Sequence, residues 1–492
     1  MKRYQMMIGG KWEDAASGEW MDSADPFSGQ VIAQVPRGDV ADAGRAVQAA
    51  NHAFREPAWM ELTATERGHL LRKLGDLVER DAVRLADIER ACNGKNIIEV
   101  TGQVHNVAQW FYYYAGLADK IHGNVIPINK AGVFNYVKYE PLGVVVAITP
   151  WNSPLALTAW KMAPALACGN TIVIKPSEFT SPPLLELGAL ALEAGFPPGV
   201  VNVVTGYGNE IGAALIEHRL VAKVAFTGGD IGGRKVAEAA VRHLKKVTLE
   251  LGGKSANIVF ADADFEQAVN GAIAGIFGAS GQTCIAGSRL LLERSIHDRF
   301  VAKLIEVVGA ARIGNPAEQS TQIGPIATRA QFNKILDYIE IARKDGATCV
   351  LGGTALTGAQ YGQGQFIAPT IFTGVTNNMR IAREEVFGPV LAVIPFDTVE
   401  EALKIANDTD FGLAAAVWTT DLHKAIHCSD RLEAGTVWVN NYRATSFTTP
   451  FGGYKRSGIG REGGLNGAYE YLQAKSVWVT TKPQRANPFV IG

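Results

Sequence analysis

The sequence predicts an α/β fold built on a parallel sheet with helices on both faces, and three observations carry that expectation. The chain has 492 residues, 47% of them hydrophobic and 19% charged, which is length and apolar content enough for two or three domains. Between Pro141 and Phe260, uninterrupted Val/Ile runs alternate with helical periodicity, the mark of strands buried on both faces. The alternation resumes after Asp262, so a second α/β region follows the first.

In chain order, residues 1–40 alternate short apolar segments with turns and read as strands. From Asp42 to Asn96, apolar residues recur at spacings of three and four, which predicts helices. A further helix, around Gln103 to Lys120, carries Trp110, Phe111, Tyr112, Tyr113 and Tyr114. GVFNYVKYEP alternates like an exposed strand. The strands LGVVVAIT, NTIVIKP, VVNVVTG and KVAFTG each lead into a helix, and KKVTLEL and ANIVF close the series. In the second region, a helix from Phe265 to Phe277 enters the loop GASGQTCIAG, and further strands and helices follow to TVWVN. Residues 441–465 are rich in glycine and proline, and QAKSVWVTT alternates again as a strand.

Composition removes several function classes. A formal net charge of −1 supplies no field for nucleic acid or an anionic membrane. No window holds the apolar run of a membrane span or a signal peptide. Five widely spaced cysteines without a CxxC pair argue against a disulfide framework and a zinc site, and for a reducing cytoplasm. Nine scattered histidines lack any ligand spacing, so no metal is expected.

In parallel sheets, ligands gather at the carboxyl ends of the strands. Here those ends are polar: TPWNSP, KPSE, TGYGNEIG, TGGDIGG, and Glu250 in LELGGK. Gly206, Gly208 and Gly212 form GxGxxxG, and Gly228, Gly229, Gly232 and Gly233 form another spacing. Each alone reads as an ordinary strand-to-helix turn. Two in one sheet, both leading into helix N-termini, suit a pyrophosphate. Lys175 and Glu178, three apart, suit either ribose hydroxyls or a surface ion pair. Cys284 lies among small residues, with only Ile285 bulky beside it. A lone cysteine is ordinarily a small buried hydrophobe, and a nucleophilic one needs a base and an oxyanion donor nearby.

Seven motifs in order, TPWN (149–152), KPSE (175–178), FTGG (226–229), LELGGK (249–254), GQTC (281–284), EEVFGP (384–389) and PFGGYKRSG (450–458), resemble those of the NAD(P)-dependent, non-acylating aldehyde dehydrogenase superfamily. The resemblance runs across essentially the whole chain. It implies a Rossmann-like NAD-binding domain (residues 1–122 and 142–251), an α/β catalytic domain (252–440) and a small β extension for oligomerisation (123–141 and 465–492), giving a homodimer or homotetramer. It implies oxidation of an aldehyde to the carboxylic acid, with Cys284 as nucleophile and Asn152 and the Cys284 N–H as oxyanion donors. Glu250 would activate the water that hydrolyses the thioester. Glu250 also argues against the alternative of a CoA-acylating semialdehyde dehydrogenase, and the three residues together argue against a catalytically silent relative.

For the cofactor, the resemblance places Lys175 and Glu178 at the adenosine ribose, Glu385 at the nicotinamide ribose and Phe387 beside the nicotinamide. Ile148, Trp151 and Leu251 would contact the nucleotide, and Gly208, Gly212 and Gly229 would leave room for it. Glu178 favours NAD over NADP, because a carboxylate accepts a ribose hydroxyl and repels a phosphate, while Lys175 pulls the other way. Gly229, followed by Asp230, stands where many relatives have a serine, which puts the grip on the pyrophosphate in question. The substrate tunnel is expected to include Tyr112, Leu157, Trp160, Thr283, Ile285, Arg443, Thr445 and Phe447. Arg443 suggests an aldehyde with an anionic far end, against the plainer reading of a solvent-facing or interface arginine.

Overall fold

Two parallel sheets carry the chain, and the alternating Val/Ile runs explain the first of them. The computed structural model describes residues 1–482 and Phe489. In it, an eight-stranded sheet runs in the order Gly458–Ile459, Lys246–Glu250, Val221–Thr227, Val144–Thr149, Thr171–Pro176, Val201–Val203, Met6–Ile8 and Lys11–Glu13. The five central strands are parallel, and the outer strands on both sides pair antiparallel.

Every residue of Val144–Thr149 and Thr171–Pro176 is buried. Alternate side chains serve different cores. Val145, Ala147, Ile172 and Ile174 pack with Leu71, Phe111, Met162 and Leu187 on one face. Val144, Val146, Ile148 and Val173 pack with Val47, Leu215 and Val236 on the other. A run of β-branched residues is what a strand with two buried faces needs.

A second sheet of seven strands follows the order Thr348–Leu351, Thr370–Thr373, Val390–Phe396, Arg289–Glu293, Ala256–Val259, Ala414–Trp418 and Thr436–Val439. All its pairings are parallel except that of Thr348–Leu351. The third feature is a ribbon. Leu472–Thr480 pairs antiparallel with Val133–Pro141 over nine residues, and Asn124–Val125 adds a short edge. Phe134, Trp478 and Val479 are exposed on it.

Sequence expectations fall close to these elements, with local differences. The aromatic helix begins at Ile97, six residues before its expected start, because Asn96 caps it by accepting the Glu99 N–H at 2.9 Å. The helix expected over EIGAALIEH opens as a π-helical turn, Gly208–Gly212, before Ala213–Glu217. Of the segment expected to form the C-terminal extension, residues 483–488 and 490–492 lie outside the described residues.

Asn170, fully buried, ties three parts of the chain together. Its Oδ1 accepts the N–H groups of Leu142 and Gly143 ahead of the first parallel strand. Its Nδ2 donates to Ala165 at the end of a helix and to Tyr471 just before the tail strand. Asn170→Ala would strand three backbone groups, the N–H groups of Leu142 and Gly143 and the Tyr471 carbonyl, each worth about 1–3 kcal/mol when buried without a partner, while the Ala165 carbonyl keeps the backbone N–H of residue 170. A fall in thermal midpoint of several degrees is expected, and Asn170→Asp should fall as well, since it loses both donors; an unchanged melting curve would contradict the tie.

Candidate active site

Cys284 sits beyond the helix Phe265–Phe277, in a loop held by unusual backbone. Ala279 and Ser280 both have φ of 53° and Gly281 has 71°. Left-handed conformation costs a non-glycine residue about 1–2 kcal/mol, and specific bonds offset it. Glu99 accepts the Ala279 N–H at 2.9 Å, Ser280 Oγ donates to Gly324 at 2.9 Å, and Gln282 Oε1 accepts the Ala327 N–H at 2.9 Å. At Gly281 no side chain fits, because a Cβ would lie 2.1 Å from the Gly388 carbonyl oxygen.

Two cavities meet at the thiol. One is a cleft walled by Trp151, Thr227 to Gly229, Glu250 to Gly252, Lys334, Glu385 and Phe387. The other lies toward the aromatic helix and is walled by Gln103, Val107, Trp110, Trp160, Arg443 and Phe451. Cys284, Asn152 and Leu157 line both. Cys284 is half-buried between the two cavities. That desolvation pushes the thiol up to about 12, with Glu385 and Glu250 adding to the shift.

Asn152 follows the first parallel strand at the turn into the helix Pro154–Ala167. Its amide nitrogen donates to the Gln282 carbonyl at 3.1 Å, which fixes it beside the Cys loop and leaves its second N–H free of that bond. Asn93 in turn donates to the Asn152 carbonyl at 3.3 Å.

Glu250 ends the strand Lys246–Glu250, with Thr227 beside it on one side and Gly458 on the other. It is buried, and neither carboxylate oxygen has a hydrogen-bond partner. Burial raises its pKa well above the usual carboxylate range; Glu462 adds to this, and Lys161 opposes it. Lys161 Nζ donates to Glu462 Oε1 at 2.5 Å and to Thr227 Oγ1 at 2.5 Å, with both charged side chains buried. This pair behind Glu250 has no sequence signal, because 301 residues separate its members.

Of the three glycines expected to leave room for the nucleotide, Gly229 walls the cleft, while Gly208 and Gly212 lie outside its lining; a Cβ added at any of them would meet nothing within 4 Å. Glu385 is fixed by accepting the Gly253 N–H at 3.0 Å, and burial raises its pKa. Phe387, at φ of 59°, meets the Trp151 ring edge-on at 5.4 Å. Leu251 walls the cleft and Ile148 is buried one strand away, in register with Lys175. Lys175 and Glu178 form an ion pair at 3.7 Å, the lysine buried and the carboxylate partly exposed. Asp230, next to Gly229, is ion-paired with Arg456 and with Arg234, so its charge at the helix start is compensated.

The substrate-side expectations divide. Leu157, Trp160, Thr283, Ile285, Arg443 and Thr445 line the second cavity; Trp160 stacks on Trp110 at 4.7 Å and meets Phe451 edge-on at 5.1 Å. Tyr112 does not line it. Its hydroxyl donates to Asp76 at 2.8 Å, and its ring lies against Gly75. The lining face of that helix is Gln103, Asn106, Val107 and Trp110, and two residues past Trp110 turn a side chain about 200° away. Phe447 is also displaced, packing on Tyr113 at 5.5 Å while Phe451 takes the wall. Arg443 is no free cation, for its guanidinium donates to Glu99 at 2.7 Å.

Among the described residues, no group of three or more His, Cys, Asp or Glu side chains could hold a metal ion, and no helix is long and apolar enough to cross a membrane. The model of the aldehyde dehydrogenase family matches residues 12–477. The chain belongs to the aldehyde dehydrogenase family. It is 46% identical to retinal dehydrogenase 2 of Homo sapiens over 482 residues, covering 97% of this chain and 92% of that one. It is also 46% identical to (Z)-2-((N-methylformamido)methylene)-5-hydroxybutyrolactone dehydrogenase of Acinetobacter baylyi, over the full length of both. Among solved aldehyde dehydrogenases, betaine aldehyde dehydrogenase of Staphylococcus aureus in complex with NAD+ superposes with a TM-score of 0.98 at 40% identity, covering 99% of this chain and 97% of that one.

The raised thiol pKa has a direct consequence in this family member. Since the thiolate fraction grows until about pH 12, alkylation of the Cys284 peptide by iodoacetamide should rise roughly tenfold per pH unit between 7 and 10. Mass spectrometry of the cofactor-free protein reads this directly; a plateau below pH 9 would mean that the desolvated setting is wrong.

Proposed function

We propose that this protein oxidises an aldehyde to the carboxylic acid with NAD as acceptor, through an acyl group carried on Cys284. The observation that carries the reading is the shared wall: Cys284 and Asn152 face both cavities, and Glu250 faces the cleft. A carbonyl carbon entering from the aromatic side thus reaches the sulfur, and an acceptor in the cleft reaches the same atom from the other side.

The Cys284 thiol gives its proton to the Glu250 carboxylate, directly or through water in the cleft they share; its Sγ bonds to the aldehyde carbon, and the carbonyl π pair moves onto the oxygen as an oxyanion. The Asn152 amide and the Cys284 N–H stabilise that charge. NAD, when bound, would supply the two-electron acceptor for the hydride of the aldehyde C–H, whose loss leaves a thioester on Cys284. Lys175 and Glu178 would hold its adenosine ribose, Glu385 its nicotinamide ribose, and Phe387, Trp151, Ile148 and Leu251 would contact it, with Gly208, Gly212 and Gly229 leaving backbone room. Glu250, once it has passed that proton to solvent, is a stronger base than a solvated carboxylate and takes the proton of the water that cleaves the thioester. An unpartnered carboxylate in the cleft favours hydrolysis over acyl transfer to CoA.

The partly exposed carboxylate of Glu178, ion-paired with Lys175, supports NAD over NADP. Residues 1–122 and 142–251 are assigned to cofactor binding and 252–440 to catalysis. The described part of 465–492 and residues 123–141 are assigned to self-association as a homodimer or homotetramer, because the ribbon exposes Phe134, Trp478 and Val479. Five unpaired cysteines suit the cytoplasm. The pairing of Arg443 with Glu99 removes the ground for an anionic group on the aldehyde, and the aromatic walls favour an uncharged one.

Steady-state assays with NAD and a panel of neutral aldehydes test the reading. Cys284→Ala should abolish acid production, and Asn152→Ala should lower kcat by about 10²–10³. Glu250→Gln should slow turnover by about 10² or more and accumulate acyl-enzyme visible by intact mass. Unchanged turnover in Glu250→Gln would remove Glu250 as the base.

A further inference from the structure

The wall between the aromatic helix and the nucleophile loop contains charges that the proposed chemistry does not use. Arg443 borders the substrate cavity, held at φ of 68°. Its Nη2 donates to Glu99 Oε1 at 2.7 Å and its Nη1 to the Ala274 carbonyl at 3.3 Å. The approach is close enough that a Cβ on Gly278 would lie 1.8 Å from Nη1, so the guanidinium occupies space that only glycine leaves. The other Glu99 oxygen accepts the Ala279 N–H.

Around this pair, the remaining charges balance. Lys95 is buried, donating to Ser153 Oγ at 2.7 Å and Gln103 Oε1 at 2.9 Å, both cavity-lining residues. Glu89 is buried and accepts the Leu155 N–H. Two cations therefore face two carboxylates. The Arg443 and Lys95 charges both hold Glu99 below the usual carboxylate range despite its burial.

We propose that Glu99 is a specificity-determining residue: its carboxylate masks Arg443 from behind, so that the cavity selects uncharged aldehydes and rejects those carrying a carboxylate. A desolvated carboxylate entering this cavity loses its hydration and finds no uncommitted cation. Replacing Glu99 with glutamine keeps the side-chain shape and an oxygen for the Ala279 N–H, but leaves one positive charge uncompensated beside the cavity. An anionic substrate should then gain, because charge–charge attraction in a partly desolvated site is worth an order of magnitude or more in affinity.

This inference rests on the proposed aldehyde oxidation, and the experiment separates the two. Matched pairs, hexanal with 6-oxohexanoate and benzaldehyde with 4-formylbenzoate, are assayed for kcat/KM with NAD. The unsubstituted enzyme should favour the neutral member of each pair. In Glu99→Gln the anionic-to-neutral ratio should rise about tenfold or more, chiefly through KM, and in Glu99→Gln/Arg443→Met the rise should disappear. A merely structural role would lower both members of a pair alike. Equal changes in both, a gain that survives the double substitution, or a native preference for the anion would each overturn the masking role while leaving aldehyde oxidation standing. Absence of turnover with every aldehyde would overturn the underlying reading, and this one with it. Should Glu99→Gln fail to fold, the native preference decides alone.

Discussion

Three consecutive left-handed residues, Ala279, Ser280 and Gly281, set the place of the nucleophile, and much of the molecule is arranged to hold them. Such a turn survives only where its surroundings over-determine it. Here the holders come from distant elements: Glu99 from the aromatic helix, Gly324 and Ala327 from the segment before residue 329, and Gly388 closing on Gly281 with no space to spare. Because Glu99 and Asn152 reach this loop from the first sheet's side of the chain, the loop is also where the two halves of the molecule are fastened.

Desolvation governs the chemistry of the site. Burial pushes both the Cys284 thiol and the Glu250 carboxyl toward their neutral forms. An unpaired buried charge is expensive, so each group holds its proton more tightly than it would in water. The nearby Lys161–Glu462 pair is the opposite case, two charges taken out of water that are held because each has the other and Thr227 completes the lysine's bonding. Glu250, with no partner of its own, is left as the group whose protonation can change.

How far the site could be read beforehand depended on whether its signal was local. The parallel strands were legible because burial on both faces demands continuous Val/Ile runs, as in Val144–Thr149. Cys284, Asn152 and Glu250 stand in short motifs, and their positions at strand ends and in a small-residue loop followed from the pattern. Tyr112 was misread because aromatic content does not specify helical phase; counting from Trp110 turns it onto Asp76. Phe447 was misread because the loop 441–465 has no periodicity to orient it. The Glu99–Arg443 and Lys161–Glu462 pairs join residues 344 and 301 positions apart, and nothing local announces them.

The tail strand carries a consequence for how such a chain is made. Leu472–Thr480 pairs with Val133–Pro141, and Gly458–Ile459 completes the edge beside Glu250, so both partners are synthesised more than two hundred residues after the strands they cover. At roughly 5–20 residues per second of translation, those edges wait for tens of seconds on the ribosome with unpaired N–H and C=O groups and an apolar face. The alternation of Lys138 and Glu140 with apolar residues along the waiting strand tempers its tendency to pair with another chain. Seating of Glu250, and with it a complete active site, is thereby deferred until the chain has been made past Ile459.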